Sequence, residues 1–440
     1  ISRSVLKMTK PQHIIISLEA DNSRLAKEAI IKKEAEENNI EFFNGVRLAL
    51  DPLITFGIKK VAEQQGPGGP GLDWTTFKLA VDGFTSREVT GKLAQYVLQE
   101  LMASATQEQW NHWYRRILIK DLRCGTSEKT INTSVKKTRP EFIIPTFTCQ
   151  LAHDSANHEK KVTGKKQLEV KLDGVRVIVI ARKNGQVETF SRNGKQFHNF
   201  EHICNEISTV VKQHGIASDM VYDGEVMSSS FQDLMKQVHR KDGKSATDAV
   251  LHLFDMMTLD EFQSGASIVP QYVRSGLMKD FVDNNHMILE HVQALDWIDV
   301  DLDTKEGQQK FKEVNKQAID GGYEGVMIKD PKAGYECKRS HSWLKMKPFI
   351  EVTLEVVDVE EGTGRNAGRL GALICKGEDD GLIISVNCGS GFTDSDRDNF
   401  WIDRTELIGR LVEVRADAVT QNQDQTYSLR FPRFKGFRGF

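Results

Sequence analysis

This 440-residue chain has no run of apolar residues long enough to cross a bilayer, and no leader peptide with a cleavage site is recognisable in it. Its six cysteines (Cys124, Cys149, Cys204, Cys337, Cys375, Cys388) include no C-x-x-C pair. That argues against a zinc ribbon and a disulfide framework and fits a reducing compartment. Net charge is nearly absent as well. Fifty-nine Lys and Arg against 62 Asp and Glu leave −3, so charge as a whole does not mark a nucleic-acid binder. Gly362-Thr363-Gly364-Arg365-Asn366-Ala367-Gly368 lacks the Lys-Ser/Thr of a P-loop, and its glycine spacing is wrong for a dinucleotide fold. With 39% apolar and 28% charged residues, the composition is that of a soluble, intracellular, globular protein of two to four domains. A cytoplasmic location with no membrane partner is expected. The chain opens on Ile1, so a few residues including the initiator Met are expected to be missing.

Residues 1–139 read as mostly helical. Asn22 is placed to cap a helix with Leu25, Ala29 and Ile30 on one face. Residues 66–71 are a glycine-proline loop, Ser86 and Thr106 are candidate caps, and Thr106 with Gln109 has capping-box spacing. Between residues 110 and 140 eight Lys/Arg face two acids, a local charge of +6. Such a cluster releases counterions from duplex DNA whatever its sequence. Arg115, Arg116, Lys120, Arg123, Lys136 and Lys137 are therefore candidate phosphate contacts.

Residues 140–348 alternate strands and helices. Glu169-Val170-Lys171-Leu172-Asp173-Gly174-Val175-Arg176 runs from one apolar strand into a tight turn and a second strand, which meets Asn184-Gly185. Asn-Gly between alternating segments predicts a type I′ hairpin. Lys171 thus sits at a sheet rim with an acid two residues before it and a glycine that opens the backbone to close approach. Further along, Asp223-Gly224-Glu225 ends one strand and Phe254 is the single aromatic of another. Residues 349–440 change character: five alternating segments and one helix predict a small oligonucleotide-binding (OB) barrel. This tail is acidic, 11 Lys/Arg against 16 Asp/Glu, yet residues 428–440 hold Arg430, Arg433, Lys435 and Arg438 and no acid.

Six stretches in fixed order carry a family resemblance: K-L-D-G-V-R at 171–176, S-R-N-G at 191–194, Y-D-G-E at 222–225, L-F-D at 253–255, E-G-V-M-I-K at 324–329 and L-K-M-K at 344–347. The chain resembles the ATP-dependent polynucleotide ligases of the covalent nucleotidyltransferase superfamily, most of all bacteriophage DNA ligases. The resemblance implies a multidomain protein: a helical DNA-binding domain (1–139), an α+β adenylation domain (140–348) and a C-terminal OB barrel (349–440). It also implies the sealing of nicked double-stranded DNA by a monomer, with ATP and Mg²⁺ or Mn²⁺. On this reading Lys171 takes AMP and Glu169 helps recognise adenine, on which Phe254 stacks. Arg176 and Arg192 hold ribose, AMP or the nick phosphate. Glu225 binds ribose or metal, and Glu324 orients the metal. Lys329 belongs to the nucleotide pocket, while Lys345 and Lys347 reach the α-phosphate and favour the neutral, nucleophilic form of Lys171. Relatives commonly end in an R-x-D-K pyrophosphate clamp. Here the corresponding stretch ends Arg438-Gly439-Phe440, leaving Arg433 and Arg438 as the candidates. An RNA ligase and an mRNA-capping guanylyltransferase are the alternative enzymes, and a DNA-binding scaffold with a dead transferase domain is the non-enzymatic one. An NAD-dependent ligase would want a cysteine zinc cluster.

Overall fold

A computed structural model describes residues 7–228 and 247–438. It divides into two compact units, Ile1–Phe147 and Thr148–Phe440. Among the described residues no helix is long and apolar enough to cross a membrane, and all six cysteines are free.

The first unit is helical, with helices Pro11–Glu19, Arg24–Glu36, Ile40–Leu50, Trp74–Ser86, Gly91–Ser104 and Glu128–Val135 around an aromatic core. Ser23, not Asn22, caps the second helix, accepting from Ala26 N, and its buried face carries Ile31 and Ala35 while Leu25 points to solvent. Ser86 ends its helix rather than starting one, because Arg87 turns left-handed (φ 64°) directly after it. The Thr106–Gln109 capping box forms in both directions. The helix it starts widens into a π-turn over Trp110–Tyr114, which seats Trp110, Trp113 and Tyr114 in the core. Residues 140–147 pack with this unit: Phe142 stacks on Phe43 at 4.2 Å and Ile144 is buried. The break in packing therefore lies at 147/148 rather than 139/140.

Half of the basic cluster is corrected here. The Arg116 guanidinium is buried and donates to the Asn111 and Leu122 carbonyls and to Glu19, each at 3.0 Å. Arg115 Nε donates to Val61 O at 2.8 Å. Lys120 Nζ closes the end of the Ile40–Leu50 helix through Leu48 O (2.7 Å) and Asp51 O (2.9 Å). These three cations saturate backbone carbonyls inside their own unit, which net charge along the sequence cannot reveal. Arg123, Lys136 and Lys137 are exposed.

Among the described residues the second unit holds three large sheets and a two-stranded pair, Ala266–Ser267 with Tyr335–Glu336. The first has five strands in the order Leu151–Asp154, Arg339–Met346, Gly325–Lys329, Lys165–Lys171 and Ile298–Asp301. Helix Lys305–Asp320 covers one face through Val314 and Ala318, packed with Leu168, Val326, Ile328 and Leu344. The second sheet has six strands, centred on Val175–Ala181, Met220–Met227 and Val250–Thr258. Helices Glu201–His214 and Gln271–Asn284 cover it through residues such as Ile203, Ile207, Met278 and Val282.

Lys171 ends a strand of the first sheet and Val175 begins a strand of the second, so Leu172-Asp173-Gly174 is the crossing between sheets. Gly174 is needed for that crossing. A Cβ there would lie 2.2 Å from Val226 O, so the close approach belongs to a neighbouring strand rather than to a ligand. The turn at Asn184-Gly185 is also not type I′. Only Gly185 has positive φ (89°), and Gly185 N bonds Arg182 O while Arg182 N bonds Gln186 O, a type I turn closed by a glycine bulge.

The C-terminal sheet has seven strands instead of the expected five. Phe431 (φ 49°) and Pro432, which has no N–H to donate, split the last predicted segment into Tyr427–Arg430 and Arg433–Arg438. Asp417 likewise separates Leu411–Ala416 from Ala418–Gln421. The sheet curls around Val352, Leu354, Val356, Leu373, Ile384, Val412 and Val414.

Candidate active site

A cavity of about 1240 Å³ opens in the second unit, lined by Glu169, Lys171, Arg176, Arg192, Glu225, Phe254, Lys329, Lys345 and Lys347 together with barrel residues. Strand register explains why motifs far apart in sequence meet there. Lys171 pairs with Gly325, so Glu324 falls beside it and Glu324 N bonds Lys171 O at 3.1 Å. Met327 is opposite both Glu169 and Lys345. Arg176 is opposite Glu225.

Glu324 is the electrostatic centre. Its Oε2 lies 2.6 Å from Lys171 Nζ and 3.3 Å from Lys347 Nζ, and its Oε1 lies 2.8 Å from Lys435 Nζ and 3.3 Å from Arg415. Burial opposes its charge, but Lys171, Lys347 and Lys435 outweigh burial and hold the carboxyl well below the usual range. Lys171 is shifted the other way from expectation. Burial alone would lower it, yet Glu324, Glu225 and Glu351 raise the ammonium above its ordinary value. The lysine that is pushed down, to about 8, is Lys347, by burial and by Lys171 beside it. In this arrangement the nearest groups keep Lys171 protonated, because carboxylates lie closer to it than the two lysines were expected to.

Two motif acids anchor the frame. Asp223 and Asp255 face each other across adjacent strands, fully buried. Arg176 grips Asp223 with two bonds of 2.6 and 2.7 Å and also donates to Gln150 O; Tyr335 OH adds a bond of 2.7 Å. Arg274 grips Asp255 at 2.8 and 3.1 Å. A buried carboxylate is tolerated only when so paired. Arg176 lines the cavity with its Nε and Nη2 committed to Asp223 and Gln150 O.

The opposite wall is aromatic. Lys329, nearly fully buried, pairs with Glu169 at 2.7 Å and lies 4.8 Å from the Phe254 ring centroid and 4.5 Å from Trp343. Phe254 meets Trp343 edge-on, its ring half-buried beside the cavity. Glu225 Oε1 accepts from Gly174 N at 3.1 Å, and burial raises its carboxyl despite Lys171 nearby. Lys345 pairs with Asp154 at 3.7 Å, away from the Glu324 cluster that Lys347 joins. Arg192 is lowered to about 10 by burial and by Arg438.

Sequence reasoning missed four members of the cluster: Asp173, Glu351, Arg415 and Lys435. Lys435 Nζ is gripped by Asp173 Oδ1 (2.8 Å), Glu324 Oε1 (2.8 Å) and Glu351 Oε1 (3.2 Å). Lys347 pairs with Glu351 at 2.6 Å, and Arg415 Nε donates to Glu351 at 2.8 Å. The acid-free tail pointed toward Lys435, but the two arginines expected there do other things. Arg433 pairs with Asp417 at the surface, and Arg438 pairs with buried Glu413. Alternation alone would put Arg433 and Lys435 on one face. A bulge separates them, because Glu413 and Val414 pair with Gly436 and Phe434 and Lys435 falls between as the extra residue, which the composition of the tail cannot show.

A glutamate-anchored lysine, an aromatic wall and a cation-rich floor shared with a curled barrel are the makings of a nucleotidyltransferase. The comparisons agree. The family described as "ATP dependent DNA ligase domain" matches residues 148–347, and the one described as "DNA ligase OB-like domain" matches residues 361–438. The solved structure named "Pmar-Lig_PreS3" is 57% identical, covering 98% of this chain and all of that one, with a TM-score of 0.52. A protein named DNA ligase from Methanothrix thermoacetophila is 30% identical over 311 residues, 62% of this chain and 52% of the relative. One of the same name from Methanococcoides burtonii is 29% identical over 309 residues, 63% and 52% respectively. The chain spans about half the length of these curated relatives. It belongs to the ATP-dependent DNA ligase family.

Proposed function

We propose that this chain is an ATP-dependent DNA ligase that joins a 5′-phosphate to a 3′-hydroxyl at a nick in duplex DNA, with Lys171 as the nucleophile. The observation that carries the proposal is Lys171 Nζ on the cavity floor, 2.6 Å from Glu324 and flanked by Lys347, with the Phe254 ring in the wall. Neutral Lys171 attacks the α-phosphorus of ATP. An N–P bond forms, the P–O bond to pyrophosphate breaks, and the lysine proton leaves. A 5′-phosphate oxygen then attacks the AMP phosphorus and frees Lys171. Finally the 3′-hydroxyl oxygen attacks the 5′-phosphate and AMP departs. Each step gathers negative charge on phosphoryl oxygens, which Lys347, Lys345 and Arg192 are placed to offset. Lys329 and Glu169 fix the base pocket behind Phe254, and Arg176 positions that wall through Asp223.

The carboxylates suit a hard divalent cation. Asp173, Glu324 and Glu351 converge on one cationic centre, at which the Lys435 ammonium sits, and oxygen ligands of this kind are those Mg²⁺ takes. When bound, Mg²⁺ would neutralise triphosphate charge. The Lys435→Ala variant is expected to reach half-maximal adenylation at several-fold lower Mg²⁺, since no ammonium then competes for those oxygens. Arg433→Ala, an exposed pair with Asp417, should be close to neutral. A Mg²⁺ titration of adduct formation checks both.

Intact mass before and after ATP tests the class: a gain of one AMP, reversed by pyrophosphate, is expected, with sealing of DNA nicks and not of RNA nicks. The helical unit is proposed to carry phosphate contacts through Arg123, Lys136 and Lys137. Replacing Lys136 and Lys137 with alanine should reduce the log-log salt slope of nick binding by about two units, one per lost contact. Arg116→Ala should act on folding instead. It leaves buried carbonyls unpaired and should cost about 2–4 kcal/mol in denaturant unfolding.

A further inference from the structure

Away from the Glu324 cluster, three histidines converge on one aspartate. His153 lies on the strand Leu151–Asp154, His158 follows the turn Ser155–Asn157, and His341 lies on the strand Arg339–Met346. Asp380 comes from the barrel, at the tip of the turn between Leu370–Asp379 and Leu382–Cys388, where it takes φ 51°. His153 Nδ1 is 2.9 Å from Asp380 Oδ1, and His158 Nε2 is 3.1 Å from Asp380 Oδ2. The His153 and His341 rings stack at 3.9 Å and 8°, and His158 meets both edge-on at 4.7 and 4.4 Å. One ring nitrogen from each histidine lies within 4.8 Å of the other two.

Ordinary packing leaves two features of this cluster unaccounted for. His153 is 93% buried, and its Nδ1 makes no properly oriented hydrogen bond even though Asp380 is near. Three imidazoles in ring contact also make poor neighbours once charged. Burial and the adjacent histidines push His153 down, and burial, Lys161 and His158 push His341 down. Neutral imidazole is the form that binds metals, and three imidazole nitrogens with one carboxylate oxygen are donors of the kind and number that a four-coordinate zinc-type ion takes.

We propose that His153, His158, His341 and Asp380 form a binding site for a divalent transition-metal ion of zinc type, joining the adenylation domain to the first barrel hairpin. Zn–N distances of about 2.0–2.1 Å require the stacked His153 and His341 rings to splay so that their nitrogens face a common centre. Asp380 is the ligand contributed by the barrel, and the neighbouring residue Asp379 already pairs with Arg339 at 3.3 Å. An ion held there would fasten the barrel over the nucleotide cavity. The site lies beside the cavity and uses none of the residues assigned to AMP transfer, so it stands or falls independently of that reading.

The test uses metal-depleted full-length protein titrated with ZnCl₂ by calorimetry and, in parallel, with Co²⁺, whose visible bands report tetrahedral geometry. One equivalent of Zn²⁺ should bind, with tetrahedral Co²⁺ bands, and Mg²⁺ should not compete. Buried His153 is left intact. His341→Ala and Asp380→Asn, at an exposed strand position and a turn, should each weaken binding at least about tenfold without changing the circular dichroism spectrum. Absence of zinc binding by the unaltered protein would overturn the proposal. So would binding undiminished in both variants, which would place the ion elsewhere, for example at Glu206, Glu290 and His291.

Discussion

Lys171→Ala is expected to lose AMP transfer to the protein by more than about 10⁴-fold, the scale seen when a covalent nucleophile is removed. Its side chain is largely buried against Glu324, and the other lysines lining the cavity are paired elsewhere: Lys329 with Glu169, Lys345 with Asp154 and Lys435 with Asp173. Lys347, the lysine with the lowered value of about 8, is tied to Glu351 at 2.6 Å. Joining of a nick that already carries AMP should be partly retained, because that step uses Lys171 no further. The raised Lys171 value also sets the sign of the pH dependence. Below it the neutral amine increases tenfold per pH unit, so adduct formation in the unaltered protein should climb with pH across the neutral to mildly alkaline range. Substantial adduct on Lys171→Ala, read by intact mass, would remove Lys171 from the role.

Glu324→Gln separates two contributions of one carboxylate. Losing the charge that steadies four cations should slow adenylation by about 10²–10³-fold, the scale of removing one preorganised electrostatic group. The same change removes the strongest influence holding the Lys171 proton. The rising limb of the pH profile should therefore shift to lower pH even as the maximum falls. Lys171, Lys347 and Lys435 are left with fewer anions in a mostly buried place, so stability should drop by about 3–5 kcal/mol, measured by denaturant unfolding. A slower enzyme with an unmoved pH profile would show that Glu324 acts only on phosphate or metal.

The motifs around the cavity were legible because catalysis demands particular residue types in a particular order, and order survives in a one-dimensional string. Lys171, Glu169, Glu225, Phe254, Lys329 and Lys347 line one cavity, and Glu324 pairs with Lys171 and Lys347 there. What the string could not show was which charges were already spent. Arg176 looked like a ligand-holding guanidinium and is bound to Asp223; Arg115, Arg116 and Lys120 looked like a DNA-facing patch and close off backbone carbonyls. A lysine or arginine has the same letter whether it faces solvent or a buried carbonyl.

Sequence by itself determined the class of fold and brought Lys171 and the motif residues forward as the candidate site, since periodicity and motif order are local or sequential properties. It also announced a basic tail at the end of the barrel. Only the tertiary structure decided that Lys435, and not Arg433, enters the carboxylate cluster, that Glu351 and Arg415 complete it, and that Lys171 is held protonated. Those outcomes depend on register between strands more than 60 residues apart and on charge separations of 2.6–3.6 Å. Coulomb energy falls with distance and burial strengthens it, so the protonation of Lys171 is set by neighbours that no local stretch of sequence identifies.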